Sequence, residues 1–249
     1  GDDIPIELHE EIRSRDACLI STKKAIKLAQ QFNAKLHVLH ISTKDEIELF
    51  KAGPVEEKKI TAEVCVPHLL FSSEDYQNLG TLIKCNPSIK SNSDKKALRQ
   101  ALKDGTIDYV ATDHAPHVLR EKQNTYLSAP SGMPSVQHSL LAVLEMVHEG
   151  DIKITDVPKI TSHNVAKRFD IKDRGFIREG FWADLVLVNM NDTYEVKKEK
   201  IFYKCGWSPF ESYTFKSRII ETIVNGERVY SHGKILSDTR GKKLEFTRG

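Results

Sequence analysis

Between residues 22 and 112, segments of helical spacing alternate with short runs of β-branched and apolar residues, and this alternation restricts the fold more than any other feature. Ala25, Ile26, Ala29 and Phe32 recur at helical spacing, and after Asn33 the run Leu36-His37-Val38-Leu39-His40-Ile41 reads as a strand. Residues 45–50 then read as helix, 60–66 as strand, 73–79 as a short helix and 81–85 as strand. Ser93 is the expected N-cap of a helix whose inner face is Ala97, Leu98, Ala101 and Leu102, with Gly105 just past its end. Residues 108–112 make a fourth strand, and a longer helix over 135–149 ends at Gly150. Strands and helices alternating through short connections predict parallel β/α units. A closed barrel of this kind needs eight strands and about 250 residues by itself. Four units make an open sheet or half a barrel.

Beyond residue 172 the pattern changes. Residues 176–178 and 183–188 read as strands around the Glu179-Gly180 turn. Residues 219–224 and 228–230 flank Asn225-Gly226, a dipeptide that tolerates positive φ at both turn positions and so favours a two-residue hairpin. The expected division is therefore a β/α segment over 1–171 and a small antiparallel β domain over 172–249.

Charge and cysteine content narrow the function. Thirty-seven Lys and Arg against thirty-five Asp and Glu leave a net charge of +2, so no single-sign field exists to gather nucleic acid or coat an anionic membrane. No apolar run approaches the roughly 18 residues of a membrane span, and the opening Gly1-Asp2-Asp3-Ile4-Pro5 has neither part of a secretory leader. The expected location is cytoplasmic and the expected ligand small. Cys18, Cys65, Cys85 and Cys205 are scattered and form no C-x-x-C pair, which fits reduced thiols.

The densest chemistry lies at Thr112-Asp113-His114-Ala115-Pro116-His117, where an apolar strand ends in a carboxylate and two imidazoles. Ligands of parallel β/α folds bind at the carboxyl ends of strands. A carboxylate at such an end can bind a metal and move a proton in metal-assisted hydrolysis. The plain alternative is that Asp113 caps a turn. His37 and His40 are three apart, so along a regular strand they face opposite ways; His40, nearer the carboxyl end, is taken as facing the cavity. A hydrogen-bonded core histidine is the competing reading. Glu63, inside an apolar strand, calls for an ion pair or a metal. Asn86, before Pro87, offers both donor and acceptor to an amide or imide ring, though Asn-Pro is also ordinary turn chemistry. The small residues Pro130, Ser131 and Gly132 let backbone groups approach a ligand, or simply form a tight loop. His68 is either a supporting or a structural residue. His9, His138, His148, His163 and His232 have no evident partner in the sequence.

Taken together, residues 112–117, Asn86-Pro87, residues 102–108, the run 36–43, Ala62-Glu63-Val64, residues 174–186 and the tail 203–210 resemble the dihydroorotases of the amidohydrolase superfamily, in that family's order. The resemblance covers nearly the whole chain. It implies the carboxyl-terminal half of a TIM-like (β/α)8 hydrolase barrel followed by a small antiparallel β domain. It also implies reversible hydrolysis of the cyclic amide of dihydroorotate to N-carbamoyl-aspartate in pyrimidine biosynthesis. By resemblance His40 and Asp113 bind zinc, one or two ions, and Asp113 carries the proton to the departing nitrogen. Asn86, His117, Pro130, Ser131 and Gly132 hold the substrate, and Glu63, His68 and His114 support the metal residues. The His-x-His pair of the family's first strand occurs nowhere in the 249 residues, so the expected partner is the amino-terminal half of the barrel. A homo-oligomer is compatible with this; nucleic acid and membrane are not expected. The competing readings are an inactive dihydroorotase-like scaffold subunit and another cyclic amidase, a hydantoinase or allantoinase.

Overall fold

The computed structural model describes residues 4–247; Gly1, Asp2 and Asp3 of the opening stretch lie outside the described residues. The chain is α/β and packs as two units, one built from the residues up to Ser139 together with Lys197–Glu211, the other from Leu140–Val196 and the residues after Ser212.

The first unit holds a three-stranded parallel sheet in the order β1-β2-β3, with β1 Leu36–Val38, β2 Ile60–Cys65 and β3 Tyr109–Ala111. Leu36 pairs with Ile60 and Glu63 with Tyr109, so the strands run in step and their carboxyl ends emerge on one side. Each strand follows a helix: Arg15–Gln31 precedes β1, Lys44–Ile47 precedes β2 and Asn92–Asp104 precedes β3. Ser14 caps the first of these through the Ala17 amide, which starts it well before residue 22. The third is capped by Ser91 rather than Ser93, because Ser91 Oγ lies 3.3 Å from the Asp94 amide. Its far end closes at Gly105 in the left-handed conformation, as expected of a glycine there.

Three parallel strands form among the described residues, not four. Residues 81–85 do not pair; Gly80–Ile83 is a 3-10 turn. Their apolar alternation comes from core packing instead. Ile83 and Cys85 are buried with Tyr76, Ile89, Met133 and Trp207 in one cluster, and burial against side chains satisfies the pattern without a strand ladder.

The second unit contains an antiparallel sheet of order β4-β7-β8-β9, formed by Leu185–Asn189, Arg218–Val224, Glu227–Ser231 and Lys234–Ile235. A two-stranded ribbon joins β5, Tyr194–Glu195, to β6, Thr214–Phe215. The β7-β8 turn has φ of 55° at Asn225 and 87° at Gly226, the paired positive values of a two-residue hairpin turn. Residues 176–178 form no strand. Phe176 stacks on His163 at 4.4 Å and carries Arg178 over its ring at 4.3 Å, so ring stacking organises this segment.

Candidate active site at the strand outlets

All the residues singled out for chemistry fall in the first unit; Glu63 and His37 lie within β2 and β1, while His40 and Asp113 lie just past the carboxyl ends of β1 and β3. His40 lies two residues after β1 and Asp113 two residues after β3, and both have positive φ, 41° and 46°. Of the non-glycine residues with positive φ, these two directly follow a parallel strand; such a backbone costs about 1 kcal/mol or more and persists only where the surroundings enforce it. One enforcing contact is the Ile41 amide, which donates to the Glu63 carbonyl at 2.8 Å and keeps the end of β1 tied to β2.

Both act electrostatically on buried side chains. His68 is buried, and the His40 ring is among the charges that act on it. His68 Nε2 lies 3.0 Å from the Pro87 carbonyl and 4.0 Å from Cys85 Sγ. Its Nδ1 is buried with no hydrogen-bond partner. Burial pushes the Cys85 thiol up to about 12, and the Asp113 carboxylate is the next cause. Cys65, at the end of β2, is also pushed up by burial, then by Glu63 and Asp113. The Asp113 charge thus acts on Cys65 and Cys85, and His40 on His68, which itself lies 4.0 Å from Cys85 Sγ, with exposed Asn86 next in the chain.

Glu63 is committed elsewhere. Its Oε2 lies 3.1 Å from His37 Nε2, and the same nitrogen is 2.6 Å from the Tyr109 hydroxyl. His37 Nδ1 meets Thr61 Oγ1 at 2.9 Å and the His37 ring stacks on Tyr109 at 4.9 Å, so His37 is a bonded core histidine.

A second group of loops closes beside Asp113. His114 Nδ1 accepts from the Ser135 amide at 3.0 Å, Ser135 Oγ donates to the Thr112 carbonyl at 2.6 Å, and the Ala115 amide donates to Met133. His114 therefore keeps its proton on Nε2, and burial lowers its pKa. Gly132 fits tightly here: a Cβ on it would lie 2.5 Å from Ala115 Cβ and 3.2 Å from both the Ala115 carbonyl and His117 Cδ2. His117 is held from behind by Trp207, whose indole N–H donates to the His117 carbonyl at 2.8 Å. The structure thus brings Gly132 against His117. Ser131 and Pro130 belong to the same loop, and Gly132 N–H donates to the Lys84 carbonyl, two residues before Asn86.

Three contributors were not visible in the sequence. His9 joins Tyr126 and the Cys85 carbonyl, each at 2.8 Å, and Lys84 and Lys122 are buried among carbonyls. No local sequence pattern marks them; burial alone gives the two lysines meaning.

Burial lowers His9, His68 and His138 to a pKa of about 4, so each is neutral in the folded chain. The unfolded chain takes up their protons near pH 6.5. Their stabilisation is complete above 6.5 and is lost as pH falls toward 4, by up to about 3 kcal/mol for each group. Melting temperatures should hold between pH 7 and 8 and fall steeply between pH 6 and 4.5; a flat profile would contradict the neutral buried assignment.

Among the described residues, no three His, Cys, Asp or Glu side chains are grouped closely enough to hold a metal ion. Zinc needs three or four protein donors. His40 and Asp113 are two candidate donors, so the described residues do not by themselves make a zinc site.

A parallel β/α sheet with an acid, imidazoles and glycine-containing loops at its strand outlets defines the class of α/β proteins that bind ligands at the carboxyl edge of the sheet. The amidohydrolase family model matches residues 16–229, and the chain belongs to that family. A dihydroorotase from Endomicrobium trichonymphae is 35% identical over 228 residues, covering 91% of this chain and 52% of its own length. An allantoinase from Bacillus velezensis is 33% identical over 232 residues, covering 92% and 51%. The solved L-hydantoinase from Arthrobacter aurescens superposes with a TM-score of 0.79 at 23% identity, over 87% of this chain and 49% of its own, which shows a shared fold. The chain spans about half the length of the curated relatives it matches.

Proposed function

We propose that this chain carries the carboxyl-terminal part of a dihydroorotase, which opens the ring amide of dihydroorotate to N-carbamoyl-aspartate and closes it again in pyrimidine synthesis. The observation that carries the reading is the pair His40 and Asp113, both turned by positive φ two residues past the ends of parallel strands of one sheet. The dihydroorotase relatives at about a third identity support the substrate.

In this reading residues 1–171 form the second part of a TIM-like barrel, and residues 172–249 a small β domain. The remaining strands and the remaining zinc donors come from a further segment, joined to this chain or separate. Two lines support that: the chain spans half of its relatives, and two donors fall short of a zinc site. The location is cytoplasmic, and self-association is compatible with the reading.

Each residue then has a task. Asp113 takes the proton lost by the water that adds to the ring carbonyl and delivers it to the ring nitrogen as the C–N bond breaks; on closure the steps reverse and water leaves. Asn86, exposed beside the Cys85 cluster, bonds the ring amide through its own amide group. His117 and the Pro130-Ser131-Gly132 loop, through Ser131, hold the substrate. His114 fixes the Asp113 loop by accepting from Ser135, and His68 packs 4.0 Å from Cys85 and feels the His40 charge.

The allantoinase relative favours a second reading, a different cyclic amidase on the same scaffold. Turnover of dihydroorotate, allantoin and hydantoin by the protein with its barrel complete separates the two. Dihydroorotate is expected to be the best substrate; allantoin or hydantoin turned over faster would transfer the assignment, and no turnover of any would favour a scaffold subunit.

A further inference from the structure

We propose that Lys84 and Lys122 form an internal clamp that positions the 129–132 loop against His117, making both lysines positioning residues for substrate recognition. The inference rests on the reading that Pro130, Ser131 and Gly132 hold substrate. Lys122 Nζ donates to the Lys84 carbonyl at 3.0 Å and to the Pro130 carbonyl at 2.8 Å. Lys84 Nζ donates to Ala129 at 2.6 Å and to Tyr126 at 2.5 Å, and lies 4.3 Å from the Tyr126 ring centroid. The Lys84 carbonyl also takes the Gly132 N–H at 2.8 Å, while Thr81 Oγ1 donates to the Lys122 carbonyl. Three carbonyls of the 126–130 stretch are therefore held by two side chains anchored in the 81–85 turn and the Leu119–Lys122 helix, and the Gly132 amide by the Lys84 carbonyl.

Burying two amines is costly unless every hydrogen is used. Lys122 is fully buried, contacts no carboxylate in these bonds, and spends itself on backbone alone. A salt-bridged lysine would stabilise any fold; a lysine that bridges the Pro130 carbonyl of the loop to the Lys84 carbonyl ties the path of that loop to the 81–85 turn. The path matters at Gly132, where the loop runs so tight that an added Cβ would meet Ala115 Cβ at 2.5 Å and His117 Cδ2 at 3.2 Å. Burial lowers the Lys122 ammonium to about 7. A neutral amine keeps two N–H donors for its two carbonyl acceptors, so the clamp holds in either protonation state.

The test is Lys122→Met, which keeps length and removes the donors, in the protein with its barrel complete. Amide hydrogen exchange at Gly132 and Ala115 should accelerate about 10-fold or more, while the β7-β8 hairpin amides are unchanged. The KM for dihydroorotate should rise about 10-fold with kcat within about threefold, the signature of lost binding geometry. A folded variant with unchanged exchange and KM would overturn the clamp. If Lys122→Met does not fold, Lys84→Met is read the same way. Should the unsubstituted protein not turn over dihydroorotate, the substrate reading fails, whereas the exchange comparison still decides the clamp.

Discussion

Replacing Asp113 with alanine should lower dihydroorotate turnover by about 1,000-fold or more with little change in KM, since a positioned acid-base group contributes about 10²–10⁴-fold to rate. The size of the effect follows from where the carboxylate sits. It is half-buried at the β3 outlet, its backbone is turned by a positive φ, and two neighbouring thiols at the β2 outlet and before Asn86 sense its charge. Among the described residues Asp113 makes no ion pair with a lysine or arginine, unlike Asp94 and Asp108, which hold Arg15 and Lys58. Asp113→Asn, which keeps the shape, should be nearly as inactive while melting close to the parent. Activity within tenfold of the parent in both variants would show that the proton is moved by another group.

Gly132→Ala should be the most damaging single methyl in the chain. The added carbon would stand 2.5 Å from Ala115 Cβ, at a φ of 134° that L side chains rarely adopt. Overpacking together with backbone strain costs about 2–4 kcal/mol. The 129–132 loop cannot yield cheaply, because Lys84 and Lys122 hold its carbonyls and the Gly132 amide is bonded to Lys84. The strain is expected to push Ala115 and His117 apart, so substrate binding should weaken along with stability. Denaturant unfolding and KM measured on the same variant check both effects. By contrast Gly180→Ala and Gly226→Ala meet no atom within 4 Å and should alter KM little.

The parts of this picture that the sequence revealed are those governed by local spacing. The helix over Asn92–Asp104 and its glycine stop, the Asn225-Gly226 hairpin and the strand ending in Asp113 each follow from periodicity and turn chemistry within about a dozen residues. The acid and imidazole cluster was legible for the same reason. Long-range packing was not. Residues 81–85 alternate like a strand because Ile83 and Cys85 fill a core with Trp207, more than a hundred residues away. The alternation argument that separated His37 from His40 fails at His40, because β1 ends at Val38 and the positive φ resets the direction of the side chain. Glu63 read correctly as a carboxylate in need of a partner, but the partner is His37 on the adjacent strand. His9, Lys84 and Lys122 gave no signal, since a buried lysine or histidine is identified only by the carbonyls around it.

The central claim is that His40 and Asp113 serve one hydrolytic centre that a further segment completes. Zinc bound per chain, measured after dialysis for the protein with its barrel complete, tests it most directly. Retention of stoichiometric zinc by the parent and its loss in both His40→Ala and Asp113→Ala, with the melting temperature near the parent, is the predicted result. Full zinc occupancy in the double variant would contradict the account.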